Sequence, residues 1–176
     1  MNAILPQAAL DRGWLLGLLN GPAWPAALPL PEEARRQRAL AQLPLEALLP
    51  PLERASREGR RALSIVAYQA WLGANPGHPQ ALAAWFNLGV EFSQAGEPAQ
   101  AVICYRNALA RADQVGATTV SFPAIPTGIF GYPLDAATDI AVDTVRSTPT
   151  SVATVRFVCF DDTTLRVYRD RLAPVT

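Results

Sequence analysis

Lysine is absent from this 176-residue chain, histidine and methionine occur once each, and cysteine occurs twice. All fifteen basic residues are therefore arginine, and they balance fifteen Asp and Glu to a formal net charge of zero. That balance removes the electrostatic case for a nucleic-acid surface. The lone His78 lies in the turn Asn75-Pro-Gly-His-Pro79, with no second histidine, cysteine or carboxylate cluster beside it in the sequence, so no metal is expected. Cys104 and Cys159 have no metal-like spacing and fall on apolar faces, which reads as two buried thiols in a reducing cytoplasm rather than a disulfide. Long apolar runs are also lacking. The stretch Leu5 to Leu19 is interrupted by Asp11 and Arg12, and no basic region precedes it, so neither a membrane span nor a signal peptide is expected. Half of the residues are apolar, enough for a core in one domain or two small ones, and a soluble cytoplasmic protein is expected.

The residues that are present change character at position 117. All 11 threonines follow it, 19 of 22 leucines precede it, and the acids switch from mostly Glu to Asp alone. Two folding patterns are joined there. Residues 1–60 read as short helices punctuated by proline, a divergent repeat or a cap. Ala8 to Leu19 is stopped by Asn20, Gly21 and Pro22; Pro31, Glu32 and Glu33 open a second helix, which Ala34 to Gln42 continues; Leu45 to Glu58 follows. Pro50 and Pro51 are expected to kink or split that last helix.

Residues 61–115 carry a more specific pattern. Trp85, Leu88, Gly89 and Phe92 lie at helical offsets, and Gly96, Ala101, Tyr105 and Ala108 continue them. Gly89 and Ala101 are small where two antiparallel helices would cross most closely, the aromatics fill the adjoining gaps, and Gly96 closes the turn. About 34 residues earlier, the spacing of a tetratricopeptide repeat, Ala67, Trp71, Ala74 and Pro79 match the second-helix positions. The segment resembles one and a half tetratricopeptide repeats, like those preceding bacterial transferases of the O-linked N-acetylglucosamine type. The resemblance implies a helical face that docks a protein or peptide partner. Asn87, Glu91, Arg106 and Asn107 are polar positions on those helices, suited to a partner's backbone or simply to solvent.

After Gly116 the periodicity changes. Thr118 to Ile125 reads as a strand, Pro133 to about Arg146 as a helix with Ala136, Ala137, Ile140, Ala141 and Val145 as its apolar stripe, and Val152 to Phe160 as a strand apolar enough for burial on both faces. Asp161 or Asp162 would cap a final helix ending at Leu172. The order is strand, crossover helix, parallel strand, helix, and the crossover should be right-handed. Between the first strand and its helix stand Gly128 and Gly131. Such a junction either turns the chain or aims consecutive amides, with the helix terminus, at a phosphate.

The stretches Phe122-Pro-Ala-Ile125, Thr127-Gly-Ile-Phe-Gly-Tyr-Pro133 and Phe157-Val-Cys-Phe-Asp161 resemble, in order and separation, the C-terminal third of macrodomains, the ADP-ribose-binding modules. The resemblance covers about residues 117–176. It implies that the amides of Thr127, Gly128, Ile129, Phe130, Gly131 and Tyr132 wrap a diphosphate, that Phe130 lies against the distal ribose, and that Phe160 borders the adenine. Pro126 departs from the family, which carries a small polar residue there, and removes one backbone donor. The family's earlier elements, an Asp-bearing strand, an Asn-containing strand end and a second glycine-rich loop, have no counterpart in residues 1–116.

The fold expected is an α+β composite: tetratricopeptide-like helical hairpins followed by a small parallel β-α-β-α unit. Two parallel strands are too few for an independent sheet, so the repeat helices or a second copy cover them, or nothing does and the C-terminal part is poorly ordered or prone to aggregate. The function expected is a non-catalytic binding protein with weak affinity for ADP-ribose or a related phosphate, without a cofactor and without catalytic residues. The alternatives are an ADP-ribosyl or O-acetyl-ADP-ribose hydrolase completed by another chain or by dimerisation, and a repeat scaffold whose C-terminal part is a relic.

Overall fold

The computed structural model describes residues 17, 30–124 and 133–173. They divide into two compact units, Met1–His78 and Pro79–Thr176. The expected helix at Ala8 to Leu19 lies almost wholly outside the described residues.

The first unit holds α1 (Leu30–Gln42), α2 (Leu45–Arg57) and α3 (Arg61–Ala74). In α2 the residues Leu45, Leu48, Leu52 and Ala55 share one stripe and are buried, a helical period that turns the face inward. The helix continues through Pro50 and Pro51 rather than splitting there. Pro51 belongs to the buried face and Pro50 to the exposed one. Trp71 of α3 is fully buried, and its Nε1 donates to the Leu43 carbonyl at 2.9 Å, which satisfies the polar end of an otherwise apolar ring. Asn75 Nδ2 donates to the carbonyls of Leu40 and Trp71, both at 3.0 Å, so α3 ends pinned to α1. His78 meets Trp71 edge-on at 5.3 Å and serves packing.

The second unit begins with a helical hairpin, α4 (Ala81–Gln94) and α5 (Pro98–Gln114). Gly96 takes φ of +75°, the left-handed conformation that lets Glu97 N–H reach back to the Phe92 carbonyl at 2.9 Å and close α4. Gly116 ends α5 the same way, with Ala117 N–H on the Ala112 carbonyl at 3.0 Å. The close crossing falls at Gly89. A β-carbon there would stand 2.6 Å from Tyr105 Cε1 and 3.2 Å from Cys104 Cβ.

After the hairpin come β1 (Thr119–Ala124), α6 (Leu134–Ser147), β2 (Thr154–Cys159) and α7 (Asp162–Leu172). The two strands pair in parallel, from Thr119 opposite Thr154 to Ala124 opposite Cys159. Alternation puts Val120, Phe122 and Ala124, with Val155, Phe157 and Cys159, on one face. The first three are buried and the second three half-buried, whereas Thr154, Arg156 and Val158 are exposed. The apolar run of β2 therefore does not mark a strand buried on both faces: its outward positions carry Thr and Arg and meet solvent. The inward face is covered by α4, α6 and α7. Phe86 of α4 stacks on Phe122 with centroids 4.1 Å apart and planes 5° apart. Phe86 is thereby buried, as is Phe92 of the same helix, whereas Trp85, expected from the repeat pattern to fill the interhelix gap, is half-buried.

The hairpin is also tied to the sheet at its far end. Asp113, near the end of α5, accepts hydrogen bonds through Oδ1 from Thr150 Oγ1 at 2.7 Å, Ser151 N at 2.9 Å and Ser151 Oγ at 2.7 Å. These donors hold its carboxyl below the usual carboxylate range, the Ser151 hydroxyl most of all. Asp161 caps α7 by accepting from Thr164 N at 2.8 Å, as the sequence suggested for this position.

Two outcomes are expected. Gly89→Ala lowers the unfolding free energy by about 1–2 kcal/mol in a urea titration, because overpacking outweighs the better helix propensity of alanine. Asp113→Ala is less stable than the parent chain at neutral pH. A carboxylate whose folded pKa is depressed adds stability above its unfolded value of about 3.9 and loses it as pH falls through the folded value, so the gap between the two chains narrows below about pH 4. Thermal midpoints measured across pH 2–7 check the sign.

Candidate functional site

The ends of β1 and β2 define one edge of the unit. Because Ala124 pairs with Cys159 in parallel register, the chain leaves both strands on the same side. In sheets of this kind ligands gather outside the carboxyl ends of the strands. From β1 the chain enters residues 125–132 and re-emerges at Pro133, the extended residue before the first turn of α6. Thr127, Gly128, Ile129, Phe130, Gly131 and Tyr132, the diphosphate loop expected from sequence, lie outside the described residues.

The described residues frame that loop. On one side, α6 starts at Leu134 and directs the free amides of its first turn toward the strand ends, with partial positive potential. Asp135 in the same turn places a carboxylate favourably against the helix dipole. On the other side stands Phe160, the residue after β2, 71 % exposed. A large aromatic ring left in water at a strand end is available to stack on a planar group. Val158, on the outward face of β2, is 43 % exposed, so an apolar margin runs beside the ring.

Below this edge the unit is apolar. Ala124, Val142 and Tyr168 form a buried cluster with Phe157 and Cys159 against it. The Tyr168 hydroxyl is pushed up to about 12 by burial and by neighbouring Cys159, while the Thr138 hydroxyl pulls the other way. Tyr168 therefore stays a neutral O–H over the whole working range of pH. The Cys159 thiol is also pushed up, chiefly by burial and then by the charge of Asp161, with Arg169 opposing. Cys104, buried in the hairpin, is pushed up to about 12 by burial alone. Neither thiol is an activated nucleophile. Sequence reasoning missed Phe86, Asp113, Ser93, Gln94 and Tyr168; Phe86 meets Phe122 of β1 and Asp113 meets Thr150 and Ser151, partners distant in sequence that no local pattern marks.

Comparison with known proteins places similarity across this part of the sequence. Residues 88–141 match the Macro domain family model. The matched segment begins inside α4, takes in all of α5, β1 and the glycine loop, and ends within α6, so it starts well before residue 117. A Macro domain-containing protein of Streptomyces coelicolor is 51 % identical over 69 residues, which is 39 % of this chain and 41 % of that protein. One from Chlorobaculum tepidum is 42 % identical over 81 residues, 44 % of this chain and 47 % of that protein. A protein of Enterobacter cloacae named O-acetyl-ADP-ribose deacetylase is 50 % identical over 68 residues, 37 % of this chain and 38 % of that protein. The chain thus spans less than half the length of the curated relatives it matches. No solved structure matches it. Among the described residues no helix is long and apolar enough to cross a membrane.

The thiols give a direct check on burial at this edge. With a maleimide at pH 7.5 the folded chain is expected to label at half-buried Cys159 before Cys104, which reacts only after denaturation. Mass spectrometry of the labelled peptides decides it, and early labelling of Cys104 contradicts the packing of α4 on α5.

Proposed function

We propose that the chain is a non-catalytic binding protein whose glycine loop, residues 127–132, takes the phosphates of ADP-ribose or a related nucleotide. The observation that carries this reading is the framing of the loop. The parallel register brings the end of β1, the start of α6 and exposed Phe160 to one edge, and the Macro domain match runs across the same segment. In this reading the loop amides and the α6 terminus take the diphosphate, Phe130 lies against the distal ribose and Phe160 stacks on the adenine. Affinity is modest, because the outward face of β2 is open to water and a ligand gripped at one edge keeps much of its surface exposed. The hairpin α4–α5 supplies the expected docking surface for a protein or peptide partner, as a tetratricopeptide-like segment would. The match from residue 88 favours assigning α5 to the nucleotide-binding unit as well.

One observation favours a second reading, hydrolysis of ADP-ribose esters: the Enterobacter cloacae relative is named a deacetylase. That reading needs a held water and a base beside the bound ribose, and a second chain or copy would supply them.

Calorimetry of the purified chain with ADP-ribose tests the first reading. The expected dissociation constant is of order 0.1–1 mM, where each 1.4 kcal/mol is tenfold. Gly128→Glu, which sets a carboxylate among the amides, is expected to abolish binding, and Phe160→Ala to weaken it about 5–10-fold, the loss of one aromatic stack. Absence of heat at millimolar ADP-ribose, or unchanged affinity in Gly128→Glu, overturns the proposal. Release of acetate from O-acetyl-ADP-ribose by the chain would select the second reading.

A further inference from the structure

Between the hairpin and the sheet of the second unit lies a small cavity of about 10 Å³, lined in part by Ser93, Gln94, Tyr105, Pro123 and Tyr168. It has the volume that a single water requires. Its polar lining is buried and specific. Ser93 is 1 % and Gln94 8 % exposed, and neither Ser93 Oγ nor Gln94 Nε2 has a hydrogen-bond partner in the protein. Tyr168, 7 % exposed, contributes a phenol to the same space.

Orphaned buried donors cost about 1–3 kcal/mol each, so two beside one cavity are a strong reason for something to sit between them. An apolar occupant would leave both unpaired, and 10 Å³ admits nothing larger than water. The geometry points to an internal hydration site: one water that accepts from Gln94 Nε2 and from the Ser93 hydroxyl and donates to the Tyr168 hydroxyl oxygen. Three partners are the usual complement of a buried water. The water joins the last turn of α4 to α7 beside Pro123, the penultimate residue of β1. It is thus a polar pin at the end of the strand from which the glycine loop departs, and it holds whether or not that loop binds a nucleotide.

The test uses the full chain and two readouts. In the wild-type protein, nuclear Overhauser spectra should show a long-lived water cross-peak to the Gln94 side-chain amide protons. In thermal melts, Ser93→Ala and Gln94→Met each remove a partner of the water and are expected to lower the midpoint by about 2–4 °C. The double variant should fall by less than the sum, because both act through one water. If the cavity is dry, the same changes replace unsatisfied polar groups by apolar ones and raise the midpoint. A raised midpoint in either single variant, or a wild-type spectrum with no water at Gln94, overturns the proposal.

Discussion

Phe122 is the residue on which the second unit turns. On one side it stacks on Phe86 of α4 at 4.1 Å, and on the other it meets Phe157 of β2 at 6.4 Å. Phe86 continues to Tyr105 of α5 at 5.2 Å, and Phe157 to Tyr168 of α7 at 4.9 Å. Five rings therefore run in a row through three helices and two strands. Rings bury more apolar area than any other side chains, and their contacts add about 0.5–1.5 kcal/mol per pair beyond that area. In a sheet of two strands, where the ladder itself contributes little, such a row is what makes helix and strand one cooperative body.

That constraint decides how the unit meets the problem of a small parallel sheet. Parallel strands are ordinarily covered on both faces. Here the inner face receives α4, α6 and α7, while the outer face of β2 carries Thr154 and Arg156, residues compatible with water. Among the described residues each strand pairs only with the other, which leaves one edge of each without a ladder partner. Arg156 on the exposed face and Pro123 within β1 are both features that discourage a further strand from adding there, the first by charge and the second by a missing donor.

Much of this was legible in the sequence because local chemistry specifies it. The parallel β-α-β order followed from apolar runs and a Pro-Leu-Asp helix start, the α7 cap from Asp161 before Thr164, and the hairpin from Gly89 and Gly96. What the sequence concealed was which element each hairpin residue faces. Trp85 and Phe86 are adjacent, and either satisfies a helical period of apolar residues; only the position of Phe122 makes Phe86 the buried one. Nothing in the local sequence marks Asp113, whereas its carboxylate reaches Thr150 and Ser151, 37 and 38 residues onward. Burial on one face of β2 was hidden for a related reason: Val155, Phe157 and Cys159 alternate with Thr154, Arg156 and Val158, but Val158 beside Cys159 and Phe160 lengthens the apparent apolar run. The glycine loop itself was legible as a motif, and its six residues lie outside the described part of the chain.

The same row of rings bears on ligand affinity. Burying Phe122, Phe157 and Tyr168 inward turns much of the apolar content of both strands toward the core, and among the described residues Phe160 and Val158 stay exposed beside the strand ends. A diphosphate needs fixed amides and helix potential. A base and two riboses need enclosure, since a ligand draws most of its binding energy from surface removed from water. Stability and enclosure therefore compete for the same side chains in a unit this small. The packing resolves that competition in favour of the core, with Phe160 left exposed beside the strand ends.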